Sequence, residues 1–142
     1  MNQNINVADY ENGLANLANS VLRTFGIETG EKKTLACLDP YLEKEYENIV
    51  VFLLDGMGTR ILEENLDTDG FFRTHLKHSY SSVFPPTTVA ATTSIRSGME
   101  PCEHRWRGWD CYYPQIDKNV TVFTNRETGT SNPAAAYHVA EK

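Results

Sequence analysis

No stretch of the 142 residues is long and apolar enough to span a bilayer: the longest apolar run, residues 49–54, has six members, where a spanning helix needs about twenty. The N-terminus, Met1-Asn-Gln-Asn-Ile-Asn, has neither a basic region nor an apolar core of signal-peptide type, which leaves the cytoplasm as the default compartment. Positive charge is in deficit. Thirteen Lys and Arg face 19 Asp and Glu, a net charge of -6, which argues against nonspecific binding of nucleic-acid polymers or acidic membranes. Cysteine is scarce and unpatterned: Cys37, Cys102 and Cys111 form no C-x-x-C or Cys/His zinc spacing, and free thiols are expected over a Cys102–Cys111 pair. A Gly-x-Gly-x-x-Gly motif is missing after the apolar run, which sets aside a dinucleotide-binding domain. No internal repeat or low-complexity linker divides the chain, so residues 1–142 read as one unit without an internal boundary.

What is present is an alternation of helical and extended patterns. Tyr10, Leu14, Leu17, Ala18, Val21, Leu22 and Phe25 recur at helical spacing, with Gly26 just beyond, and predict an amphipathic helix whose apolar stripe packs on a sheet. Asp39-Pro40 predicts a short helix to about Glu47. Residues 60–66 read as a helix, 67–70 as a turn, and Phe71, Phe72 and Leu76 as another helical turn or two. His75 and His78 would share a face of that helix, with solvation favoured over metal binding because no carboxylate accompanies them. Strands are expected at residues 80–84 and 120–124, and a last helix from Asn132 onward. The aromatic and basic segment 103–113 reads either as a stacking and phosphate-clamping loop or as a seal over the sheet edge.

Two segments carry the chemistry. Asn48-Ile-Val-Val-Phe-Leu-Leu-Asp55-Gly56 is a continuous apolar run ending at a carboxylate, the pattern of a strand buried on both faces that delivers Asp55 to its C-terminal edge. Phe84-Pro-Pro-Thr87-Thr88 precedes Val89 to Ser97 and Gly98, the pattern of an N-capped helix closed by glycine. A hydroxyl at a helix N-terminus sits among unpaired N–H groups that favour anions, and a nearby carboxylate suits a divalent cation. Together they suggest metal-dependent phosphoryl transfer.

These two segments resemble the signatures of the alkaline phosphatase superfamily, and within it the type I phosphodiesterase/nucleotide pyrophosphatase family. Asp55-Gly56 matches the strand-ending Asp-Gly, and Phe84-Pro-Pro-Thr-Thr88 through Ser97-Gly98 matches the nucleophile motif. Pro101-Cys-Glu-His104 fits a further Pro-x-x-His. Departures are Ala90-Ala91-Thr92 for the family's Pro-Asn-His, Arg105 for a glycine, and Trp109 near the position of an asparagine. The resemblance implies a three-layer, mostly parallel α/β sheet with residues 49–54 as a central strand, Asp55 as a metal ligand, and Thr88 as both nucleophile and metal contact. It also implies two divalent ions, zinc or manganese, and phosphate-ester or nucleotide substrates.

The match runs from about residue 48 to 113, whereas the family's catalytic domain is over twice as long and places most metal ligands later. The expectation is therefore an N-terminal portion, apparently truncated, inactive alone and with an open sheet edge available for self-association. The alternative is a noncatalytic α/β module acting by partner binding.

Overall fold

Local signals around Thr87 and Gly98 dictate the central helix of the computed structural model, which describes residues 7–134. The Thr87 backbone is extended and its hydroxyl accepts a hydrogen bond from the Ala90 N–H, while Gly98 closes the helix at φ 65° with its N–H on the Ser94 carbonyl. Thr92, Thr93 and Ser97 would compete with the helical backbone if their hydroxyls had no other partner. They donate instead to the carbonyls of Thr88, Val89 and Thr93, each at 2.7 Å.

In chain order the α-helices are α1 (Leu14–Thr24), α2 (Thr59–Asn65), α3 (Phe71–His75), α4 (Thr88–Ser97) and α5 (Pro101–His104). The strands are β1 (Asp110–Tyr113), β2 (Lys118–Thr121) and β3 (Arg126–Glu127). They form a three-stranded antiparallel sheet of order β1-β2-β3, with Cys111 opposite Val120 and Thr121 opposite Arg126. The described part of the chain is thus a small α/β arrangement.

Adjacent residues of α4 serve two cores. Val89 packs with Val120, Val122 and Ala134 beneath Trp106 and Tyr113, whereas Ala90 packs with Leu14 of α1 and Val83. Burial of a side chain such as Val89, which has no exposed surface, contributes about 1.5–3 kcal/mol relative to leaving it in water. Helix α4 is consequently held from both sides, and its N-terminus has little freedom to wander.

The structure corrects several expectations. Residues 49–54 join no sheet among the described residues, and Val50 and Phe52 are 73% and 84% exposed. A strand apolar on both faces needs neighbours along its edges and layers over its faces. The strands that form, β1 to β3, pair in chain order with one another, and none pairs with residues 49–54. The sheet is accordingly antiparallel, built from short connections. Residues 80–84 form only an isolated parallel bridge, Ser81 to Gly13. The strand expected at 120–124 lies at Lys118–Thr121, because the chain turns at 122–125, where Asn125 has φ 51°. The helix from Asp39 shrinks to a single 3-10 turn, Asp39–Tyr41. His75 ends α3, so His78 lies beyond it and the two share no helix face. Residues 132–134 are irregular, and the rest of the helix expected there lies outside the described residues. All three cysteines are free thiols.

Candidate active site

Thr87 and Thr88 have different tasks despite being neighbours. Thr87 caps α4 through Ala90 N–H at 3.2 Å and donates its own proton to the Arg107 carbonyl at 3.2 Å. That second bond ties the Trp-rich loop to the start of the helix. Thr88, the first residue of α4, is excused from capping and turns its hydroxyl toward Asp55, 3.4 Å from each carboxylate oxygen. Charge-assisted O–H···O⁻ bonds run at about 2.5–2.7 Å, so this is a long contact, with the hydroxyl facing both oxygens evenly.

Asp55 reaches this position from the end of the apolar run, where Gly56 takes φ 67° and lets the chain turn into Gly58 and α2. The carboxylate is exposed and Thr88 half-buried. Both line a cavity of about 620 Å³ whose wall also includes Leu14, Leu54, Leu62 and His78. Its lining is more apolar than polar and includes Thr88 at the start of α4. The positive end of the α4 macrodipole favours an anion there.

His104 supports α4 without belonging to this cavity. The Trp106 N–H donates to its Nδ1 at 3.0 Å, so Nδ1 is the lone-pair nitrogen and the proton sits on Nε2, 3.1 Å from Ser94 Oγ. Burial pushes the imidazole below its ordinary value, opposed by a hydrogen bond to the Ala90 backbone and by the Glu103 charge. Ser94 has no exposed surface, which makes the pair a clasp between α4 and α5 rather than a nucleophile and its base.

No protein-family model, curated protein or solved structure matches the chain.

Asp55 and Thr88 together offer a cation two oxygen ligands, fewer than the three protein ligands usual at a catalytic zinc. Among the described residues no three His, Cys, Asp or Glu side chains converge. The described residues therefore do not fit a two-metal centre by themselves. His75 bonds the Phe71 carbonyl at 2.8 Å and stacks on the Phe71 ring at 4.5 Å.

The aromatic segment divides its labour. Trp106 packs against the core beside Val89, while Trp109 leans on Phe123 at 5.6 Å, with Arg96 over the same ring. Neither tryptophan is among the residues that line the Asp55–Thr88 cavity. Sequence reasoning missed two features. One is the place of His78 in the cavity wall, where its pattern suggested a solvated side chain sharing a helix face with His75; the other is the Thr87–Arg107 bond, which spans 20 residues and has no sequence signature.

Among the described residues no helix is long and apolar enough to cross a membrane.

Proposed function

We propose that Asp55 and Thr88 form the reacting end of a phosphate-ester hydrolase site of the alkaline phosphatase-like type, acting on a phosphodiester, pyrophosphate or phosphomonoester in the cytoplasm. The observation that carries this reading is the Thr88 hydroxyl, 3.4 Å from both Asp55 oxygens at the N-terminus of α4. Thirty-three residues separate the pair, and the resemblance in sequence names the same two positions.

In this reading Thr88 Oγ1 attacks phosphorus in line with the leaving oxygen, the bond to the leaving group breaks, and a phosphothreonine forms. Asp55 would hold a divalent cation beside Thr88 Oγ1, and the charge of that cation would lower the pKa of the hydroxyl; the hydroxyl proton leaves to solvent and the leaving oxygen takes one up. Water then cleaves the bond between phosphorus and Thr88 Oγ1, restoring the hydroxyl and releasing phosphate from a monoester substrate, or the remaining phosphomonoester from a diester or pyrophosphate. The α4 N-terminus stabilises charge on the phosphoryl oxygens. Two divalent ions, zinc or manganese, belong to the same reading, with ligands that the described residues supply only in part. So does a three-layer, mostly parallel sheet in which residues 49–54 find strand neighbours; their apolar character on both faces supports it.

The test is a panel of p-nitrophenyl phosphate, bis-p-nitrophenyl phosphate and a nucleotide pyrophosphate, with zinc or manganese. It is run on residues 1–142 and on the full reading frame that encodes them. Residues 1–142 alone are expected to be inactive and to bind zinc weakly. A longer product is expected to hydrolyse at least one substrate. Loss of no activity on replacing both Asp55 and Thr88 in an active product would overturn the assignment.

A noncatalytic module that acts by binding a partner is a second reading, favoured by the exposure of residues 50–54.

A further inference from the structure

Residues 50–54 form a run of exposed apolar side chains unlike ordinary protein surface among the described residues. Val50, Val51, Phe52, Leu53 and Leu54 are 73, 47, 84, 44 and 49% exposed, and none of them reaches the burial its side chain favours. Extended as a strand, the segment would place alternate side chains on opposite faces, both of them apolar. No backbone N–H or C=O of residues 49–54 is hydrogen-bonded to another described residue. The segment thus has two unmet needs: apolar cover on its faces and ladder partners along its edges.

These needs discriminate between occupants. A lipid surface covers apolar side chains but offers nothing to unpaired amides, which are costly in hydrocarbon. An extended polypeptide meets both needs at once. A second copy of this chain fits poorly, because Glu43, Glu45 and Glu47 precede the run and Asp55 ends it, with Lys44 the single cation between. Parallel self-pairing sets Glu47 beside Glu47, and antiparallel self-pairing brings Glu47 to the Asp55 end of the other copy. Like charges opposite one another destabilise a strand pair.

We propose that residues 49–54 are a docking strand for another polypeptide, taking as its partner an extended apolar segment flanked by Lys or Arg, added edge to edge as a new strand. Main-chain hydrogen bonds supply affinity in such augmentation and the flanking charges supply selectivity. This inference needs neither Asp55 nor Thr88 in a chemical role, but it competes with the three-layer-sheet part of the hydrolase reading, because both supply a strand neighbour to residues 49–54.

The experiment uses residues 1–142 and three blocked peptides that share the core Val-Ile-Val-Phe-Val: one flanked by paired lysines, one by paired glutamates, and one lysine-flanked with proline at the central position. The expected result is binding of the lysine-flanked peptide at least about tenfold tighter than the glutamate-flanked one at low salt, a gap that narrows as salt rises. Amides of residues 50–54 should gain hydrogen-exchange protection, and the proline peptide should not bind. Phe52→Glu should abolish binding while leaving the thermal melt unchanged, because Phe52 is the most exposed residue of the segment. Equal binding of the two charged peptides, or binding of neither, overturns the proposal. Protection of residues 50–54 by phosphatidylcholine vesicles but not by peptide assigns the segment to membranes. A dimer at micromolar concentration that protects these amides and that peptide cannot displace assigns it to a second copy.

Discussion

Gly98→Ala measures how firmly α4 is locked against α1. Gly98 sits at φ 65°, ψ 19°, a conformation that costs a non-glycine residue about 1 kcal/mol. A Cβ there would overlap Asn19 Oδ1 and stand 3.3 Å from Asn19 Cγ and 3.6 Å from Leu22 Cδ1. Asn19 has little room to retreat, being 3% exposed and bonded through Nδ2 to the Gly98 carbonyl at 3.3 Å. Overpacking of this kind adds about 1–3 kcal/mol. The total expected loss is about 2–4 kcal/mol, a large share of the stability of a domain that holds about 5–15 kcal/mol. Gly26→Ala is the matched control: Gly26 has φ 73° but nothing within 4 Å of the added carbon, so only the backbone cost of about 1 kcal/mol applies. Urea unfolding followed by tryptophan fluorescence gives both values, compared at equal slope. Equal losses for the two variants would show that α1 and the end of α4 do not meet as described.

Thr87→Ala removes the cap on the Ala90 N–H and the bond to the Arg107 carbonyl and should cost about 1 kcal/mol in urea unfolding, whereas Thr88→Ala should leave stability nearly unchanged. In a hydrolytically active product Thr88→Ala should lower turnover by several orders of magnitude with little change in substrate affinity, and Thr88→Ser should retain appreciable activity. Near-normal turnover in Thr88→Ala together with none in Thr87→Ala would place the nucleophile one residue earlier. His104, held below its ordinary value of 6.5 chiefly by burial, binds protons less readily when folded. Its contribution to stability is therefore present above pH 6.5 and lost as pH falls through the folded value. Proton NMR of the imidazole should show a midpoint below 6.5, and a midpoint at or above it refutes the clasp with Trp106 and Ser94. Glu100 is pushed up from 4.5 by burial first and by Glu103 second, against Lys32, and its Oε2 is buried without a partner. Stability linked to its proton is present below 4.5 and lost as pH rises through the folded value. Glu100→Gln should therefore be more stable than the parent at neutral pH and lose that advantage in acid, and a neutral-pH loss on thermal melting would contradict the burial.

Helix α4 is legible in the sequence because everything that delimits it is local. A threonine at the N-cap, prolines before it, and a glycine able to take positive φ act within a few residues of the ends they define. The same holds for α1 and α2, whose observed bounds fall inside or within a residue of the ranges their patterns suggest. Asp55 and Thr88 are legible as residue types in context, a carboxylate ending an apolar run and a hydroxyl at a helix start. Their approach to 3.4 Å is not. It depends on α4 being gripped between two cores, one reaching Leu14 and the other Val120 and Val122, contacts far apart along the chain. Residues 49–54 show the converse. Their pattern states that both faces favour burial, but a strand exists only with a neighbour to complete its hydrogen bonds, and neighbours are chosen by tertiary structure. Here the strands that form are the ones joined by short turns, β1 to β3, and the most hydrophobic segment of the sequence remains without a partner among the described residues.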